Sequence, residues 1–136
     1  MAKAEAPLVV LVHGLTGCEN SSHVLNAARH LLDRGYRVLR LNLRGCGASR
    51  PHCREHYHIG RTADFRSILS QLPDELTGNG VVSVGYSLGG AMLLKYLGEE
   101  GAFSPLRAAA TICAPLDLRQ TCEHMRVIIS RRLLMG

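Results

Sequence analysis

Apolar residues along this 136-residue chain fall into two alternating rhythms. "PLVVLVH", from Pro7 to His13, is a continuous apolar run stopped by Gly14, the pattern of a strand buried on both faces of a parallel sheet. In "SSHVLNAARHLLDRG" the apolar positions Val24, Leu25, Ala28, Leu31 and Leu32 follow helical spacing, with Ser21 or Ser22 placed to cap the helix and Gly35 to end it. "YRVLRLNLRG" returns to alternation and predicts a second strand carrying Val38, Leu39, Leu41 and Leu43. A glycine- and histidine-rich loop follows from Gly45 to Gly60. "RTADFRSILSQL" is helical, with Phe65, Ile68, Leu69 and Leu72 on one face and Pro73 as its stop. "GVVSVGY" predicts the third strand, "LGGAMLLKYLGEE" the helix after it, and "LRAAATICAP" the fourth strand. "LDLRQTCEHMRVIISRRLLMG" reads as partly helical. The order βαβαβαβ with right-handed crossovers predicts an α/β fold: a parallel sheet in a three-layer αβα sandwich. No repeat, low-complexity linker or internal boundary interrupts it, so residues 1–136 are expected to form a single domain.

Composition narrows the class. An apolar fraction of 46% with 20% charged residues is that of a globular protein, neither disordered nor fibrous. No apolar run approaches the roughly 18 residues of a membrane span. "PLVVLV" is short, follows Glu5 and lacks a small-residue cleavage site, so it reads as a strand and the protein is expected to be cytoplasmic. The net charge of +5 includes nine arginines between Arg29 and Arg66, interspersed with apolar and acidic residues. With six Tyr and Phe for stacking, this predicts a solvated basic surface and no nucleic-acid partner. Five cysteines (Cys18, Cys46, Cys53, Cys113, Cys122) with no C-x-x-C pair argue for reduced thiols. "CGASRPHCREHYH" gathers Cys46, His52, Cys53, His56 and His58, but at spacings that match no zinc pattern. Neither a metal nor another cofactor is expected. A metal module remains a weaker reading, which stoichiometric zinc would have to support.

The chemistry concentrates in "VGYSLGG". Gly-x-Ser-x-Gly between a strand and a helix places Ser87 on a strained turn with its hydroxyl projecting above the sheet. Gly85 and Gly89 relieve crowding where strand and helix nearly touch. The N–H of Leu88, at the helix start, would point toward a developing oxyanion, and the helix dipole favours negative charge there. The competing plain reading is a glycine-rich turn with a solvent-facing serine. "LVHGLTG" supplies a second element. A loop after this strand provides the other oxyanion donor in hydrolases of this architecture, here the N–H of Leu15. His13 precedes the serine, against the usual order of serine, acid and histidine, and is expected to brace the loop instead of acting as general base.

"HGLTG", "LRLNLRGCGAS", "HYHIGRTADF", "GYSLGGAMLLKYL" and "CAPLDL", in this order from Pro7 to about His124, resemble the YheT-like branch of the α/β-hydrolase superfamily. These are serine esterases related to the abhydrolase-domain lipases. The resemblance implies an eight-stranded sheet in a chain of about 300 residues or more, of which this sequence carries the equivalent of strands 3–6. It also implies that Gly45–Gly47 and His56–His58 lie at the mouth of a cleft; no catalytic role is assigned to them. The family's catalytic Asp and His would fall beyond Gly136, so the triad partners of Ser87 are expected to be absent from this chain. The acid-then-histidine candidates after Ser87 are Asp117, Glu123 and His124, with Asp117 read first as a helix cap. The function implied is hydrolysis of short- or medium-chain acyl esters or lipids by a serine nucleophile. The alternative is a catalytically inactive hydrolase fragment that binds partners through an exposed sheet edge, an edge that also invites self-association.

Overall fold

A computed structural model describes residues 6–134, with side chains from 6 to 128. Four strands, β1 (Leu8–Val12), β2 (Arg37–Leu41), β3 (Val81–Tyr86) and β4 (Leu106–Ile112), form one sheet in the order β2-β1-β3-β4. Every pairing is parallel. Between them run α1 (Ser22–Asp33), α2 (Thr62–Gln71), the single turn α3 (Asp74–Thr77) and α4 (Leu88–Glu100), and α5 (Leu118–Leu134) follows β4. The α/β class and the parallel sheet expected from the apolar rhythms are what the chain adopts. Met135 and Gly136, which end the last helical stretch of the sequence, lie outside the described residues.

β1 is central and all five of its residues are buried, which explains its unbroken apolar run. Successive side chains point to opposite faces and nucleate two clusters. Leu8, Val10 and Val12 join Phe65 and Leu69 of α2 and Met92, Leu93 and Tyr96 of α4. Val9 and Leu11 join Val24 and Ala28 of α1 on the other side. Helices therefore cover both faces, the three-layer arrangement that the alternation predicts.

Three local expectations change. The buried face of α1 is Val24 and Ala28, flanked by Ala27 and Leu31, whereas Leu25 and Leu32 are exposed. A helix resting on a twisted sheet buries a narrower stripe than the apolar positions alone suggest. Ser21 is the N-cap of α1, but its hydroxyl accepts the Cys18 N–H at 3.0 Å, so it tightens the preceding turn instead of capping the helix. The glycine- and histidine-rich loop contains a short 3-10 helix, Gly47–His52, tied back by Ser49 to the Cys46 and Leu43 carbonyls.

Candidate active site

All four strands are parallel, so the loops that leave β1 and β3 emerge at the same end of the sheet. Ser87 stands there, between β3 and α4, at φ +50° and ψ −118°. That region is costly for a residue with a Cβ, by about 1–3 kcal/mol. The surroundings hold it in place. Ser87 N–H donates to the Ile112 carbonyl at 2.8 Å, and Ala91 N–H donates to the Ser87 carbonyl at 3.0 Å. The flanking glycines make the turn sterically feasible. A Cβ on Gly85 would lie 2.7 Å from Gly90 Cα. One on Gly89 would collide with the His13 carbonyl, so the second glycine of the elbow is needed against the neighbouring strand.

The β1–α1 loop meets this turn at Gly14, where a Cβ would come within 3.1 Å of Ser87 Cβ. Gly14 carbonyl accepts the Gly17 N–H at 3.1 Å, which closes a tight turn over Leu15 and Thr16. Thr16 takes φ +60°. Leu88 is the first residue of α4, so its N–H has no carbonyl one turn earlier in the helix. The Leu15 N–H forms no hydrogen bond among the described residues. Leu88 directly follows Ser87 in the chain, and Leu15 lines the same cavity as the serine.

His13 is fully buried beneath this loop. Its Nε2 accepts the Leu43 N–H at 3.1 Å, and its Nδ1 lies 2.8 Å from the Gly14 carbonyl, to which it donates. These partners select the neutral Nδ1–H tautomer. Burial pushes its pKa down, partly offset by the bond to Gly14. The imidazole braces the loop from below, and its ring nitrogens are both engaged.

A cavity of about 280 Å³ opens over Ser87, lined by Gly14, Leu15, His23, Tyr86, Ile112 and Cys113 as well as the serine. His23, from α1, packs edge-on against Tyr86 with ring centroids 4.8 Å apart. The sequence pattern did not single out His23 or Cys113; each reaches the site only through tertiary packing. Cys46, His56 and His58, placed near a cleft mouth by resemblance, do not line this cavity. Tyr57, from the same segment, lies under the Leu15–Thr16 turn, where its hydroxyl accepts the Thr16 N–H at 2.7 Å.

The weaker triad candidates are placed elsewhere. Asp117 Oδ1 accepts the Gln120 N–H at 2.9 Å, an N-cap of α5, and His124 is exposed along that helix. Neither lines the cavity at Ser87, and among the described residues no histidine or carboxylate is hydrogen-bonded to its Oγ. No group of three or more His, Cys, Asp or Glu among the described residues is arranged to hold a metal ion. No helix among them is long and apolar enough to cross a membrane.

A family profile described as alpha/beta hydrolase fold matches residues 7–131. The chain is 39% identical to the medium-chain fatty acid ethyl ester synthase/esterase 2 of Saccharomyces cerevisiae over 126 residues, 92% of this chain and 28% of that protein. It is 34% identical to YheT of Escherichia coli over 125 residues, 92% of this chain and 37% of that protein. Among solved structures, the mouse alpha/beta hydrolase domain-containing protein 10 superposes on 99% of this chain and 51% of its own, with a TM-score of 0.67 at 20% identity. The chain thus spans little more than a quarter to a third of the length of these two curated relatives.

Proposed function

The chain belongs to the α/β-hydrolase fold family, and from that premise we propose that it carries the nucleophile and oxyanion elements of a carboxylic-ester hydrolase. The reading rests above all on Ser87, held at φ +50° between strand and helix. Ser87 is exposed, but a serine in an ordinary loop has no reason to occupy so costly a conformation. The N–H groups of Leu88, next in the chain, and Leu15, in the same cavity, support the same conclusion.

In this mechanism Ser87 Oγ attacks the ester carbonyl and its proton passes to a base. The tetrahedral oxyanion is held by the N–H groups of Leu15 and Leu88, in the field of the α4 N-terminus. Collapse expels the alcohol and leaves an acyl-serine, which water hydrolyses to the acid and free enzyme. The apolar walls of the cavity at Leu15, Tyr86 and Ile112 suit a short or medium acyl chain. The printed name of the yeast relative, a medium-chain ester synthase/esterase, points the same way. The base is not assigned, because Asp117 is engaged as a helix cap and His124 does not border the cavity. The five free cysteines are consistent with a cytoplasmic setting.

Covalent labelling tests the reading. The folded chain is incubated with a fluorophosphonate ester, with and without imidazole as an external base, beside Ser87→Ala. The expected result is one adduct on the wild type, formed faster with imidazole and absent from the variant. A folded sample that stays unlabelled under both conditions would overturn it.

A second reading is carried by β4, which is the outer strand of the sheet on its side among the described residues and is mostly exposed. Leu116 beyond it is 85% exposed. A bare apolar edge of this kind favours association, with a second copy or another protein. A stable oligomer that resists the fluorophosphonate would favour a binding module over an esterase.

A further inference from the structure

The turn that carries the Leu15 N–H is fixed at each of its peptide groups. The Gly14 carbonyl is held by His13 Nδ1–H at 2.8 Å and by Gly17 N–H at 3.1 Å. In a trans peptide the carbonyl and the following N–H point in opposite directions. Holding the Gly14 carbonyl over His13 therefore turns the Leu15 N–H away from it. The next peptide is held as well, since Leu15 carbonyl accepts the Thr16 hydroxyl at 2.7 Å and Thr16 N–H donates to Tyr57 Oη at 2.7 Å. Thr16 needs that restraint. It is β-branched and sits at φ +60°, where such residues are rarely found.

Tyr57 is itself firmly placed. Its N–H donates to the Arg44 carbonyl at 3.0 Å, and Arg44 grips Asp64 of α2 through two bonds of 2.6 and 2.7 Å. Its ring meets His13 edge-on, with centroids 5.9 Å apart. Its hydroxyl lies beside the Cys46 thiol, and the two groups influence each other electrostatically. The "RGCG" and "YH-x-G" segments thus meet at one side chain that supports the loop beside Ser87.

We propose that Tyr57 is a positioning residue for the ester hydrolysis inferred above: its hydroxyl fixes the Leu15–Thr16 turn and so holds the Leu15 N–H ready beside Ser87. The proposal rests on that hydrolase reading. Tyr57 does not line the cavity at Ser87 and acts only through the turn.

Tyr57→Phe keeps the ring against His13 and removes only the hydroxyl that accepts the Thr16 N–H. In the 136-residue chain with imidazole present, the maximal labelling rate of Ser87 should fall about tenfold while the reagent's apparent binding constant stays unchanged, since a misplaced donor weakens the transition state and not the encounter. In ¹⁵N–¹H spectra, the Thr16 amide should lose its protection from hydrogen exchange. Adding Thr16→Gly should restore part of the rate, because glycine takes a positive φ without needing to be held. A labelling rate equal to wild type, a loss in binding alone, or a Thr16 amide that stays protected would overturn the proposal. A wild type that is never labelled would end the hydrolase reading instead, and the Thr16 amide would then decide alone whether Tyr57 fixes the turn.

Discussion

Gly89 and His13 sit in contact at the point where β1 and the start of α4 approach each other, and each makes a testable demand. A methyl group on Gly89 has no space, because the His13 and Val12 carbonyl oxygens occupy it. Gly89→Ala should destabilise the chain by about 1–3 kcal/mol, read as a lower urea midpoint with an unchanged slope. His13 gives a pH signature. Burial lowers its folded pKa below the ordinary value of 6.5. Between those two values the unfolded chain binds more protons than the folded one, so stability is complete above about pH 6.5 and declines as pH falls toward the folded value. Thermal melts from pH 8 to pH 5 should show Tm dropping in the lower half of the range. His13→Gln should flatten that part of the curve. The sequence marked His13 as a brace through its place before the serine, and the two hydrogen bonds to Leu43 and Gly14 give that role its geometry. It marked the segment around Tyr57 only by resemblance, since a tyrosine 41 residues from Thr16 carries no local signal of its partner.

Among the elements, α2 and α4 pack together over the sheet through Phe65 and Tyr96, whose rings meet edge-on with centroids 4.9 Å apart. Both are almost fully buried. Phe65→Ala should cost about 3–5 kcal/mol, from lost transfer energy and the cavity left behind. The nearby Arg44–Asp64 pair is partly exposed, so Arg44→Met should cost far less than Phe65→Ala. Chemical denaturation of the two variants would separate the contributions. The helical spacing of Phe65, Ile68 and Leu69 was enough to predict the inner face of α2. For α1 the same spacing overreached, because Leu25 and Leu32 fall on a flank that the sheet does not cover. The single-turn α3 and the 3-10 helix were not legible at all: runs of four to six residues carry too little periodicity to stand out from a loop.

At the scale of the whole molecule, β2 and β4 are the outer strands among the described residues. Ala108, Ala109 and Ala110 of β4 are exposed and uncharged. The chain should therefore sediment faster than a monomer at high concentration, and Ala109→Lys should shift it toward monomer, as edge lysines oppose strand pairing. A wild type that remains monomeric would argue against association through β4. The sequence by itself determined the alternation of strand and helix, the parallel sheet and the serine turn. Each is written in contiguous residues whose spacing reports which sides are buried. Tertiary structure decided what spacing cannot encode: that Gly14 lies against Ser87, that His23 and Cys113 share its cavity, and that Tyr57 supports the Leu15–Thr16 turn. Those contacts join residues distant in the chain, and they exist only because parallel strands deliver their loops to one end of the sheet.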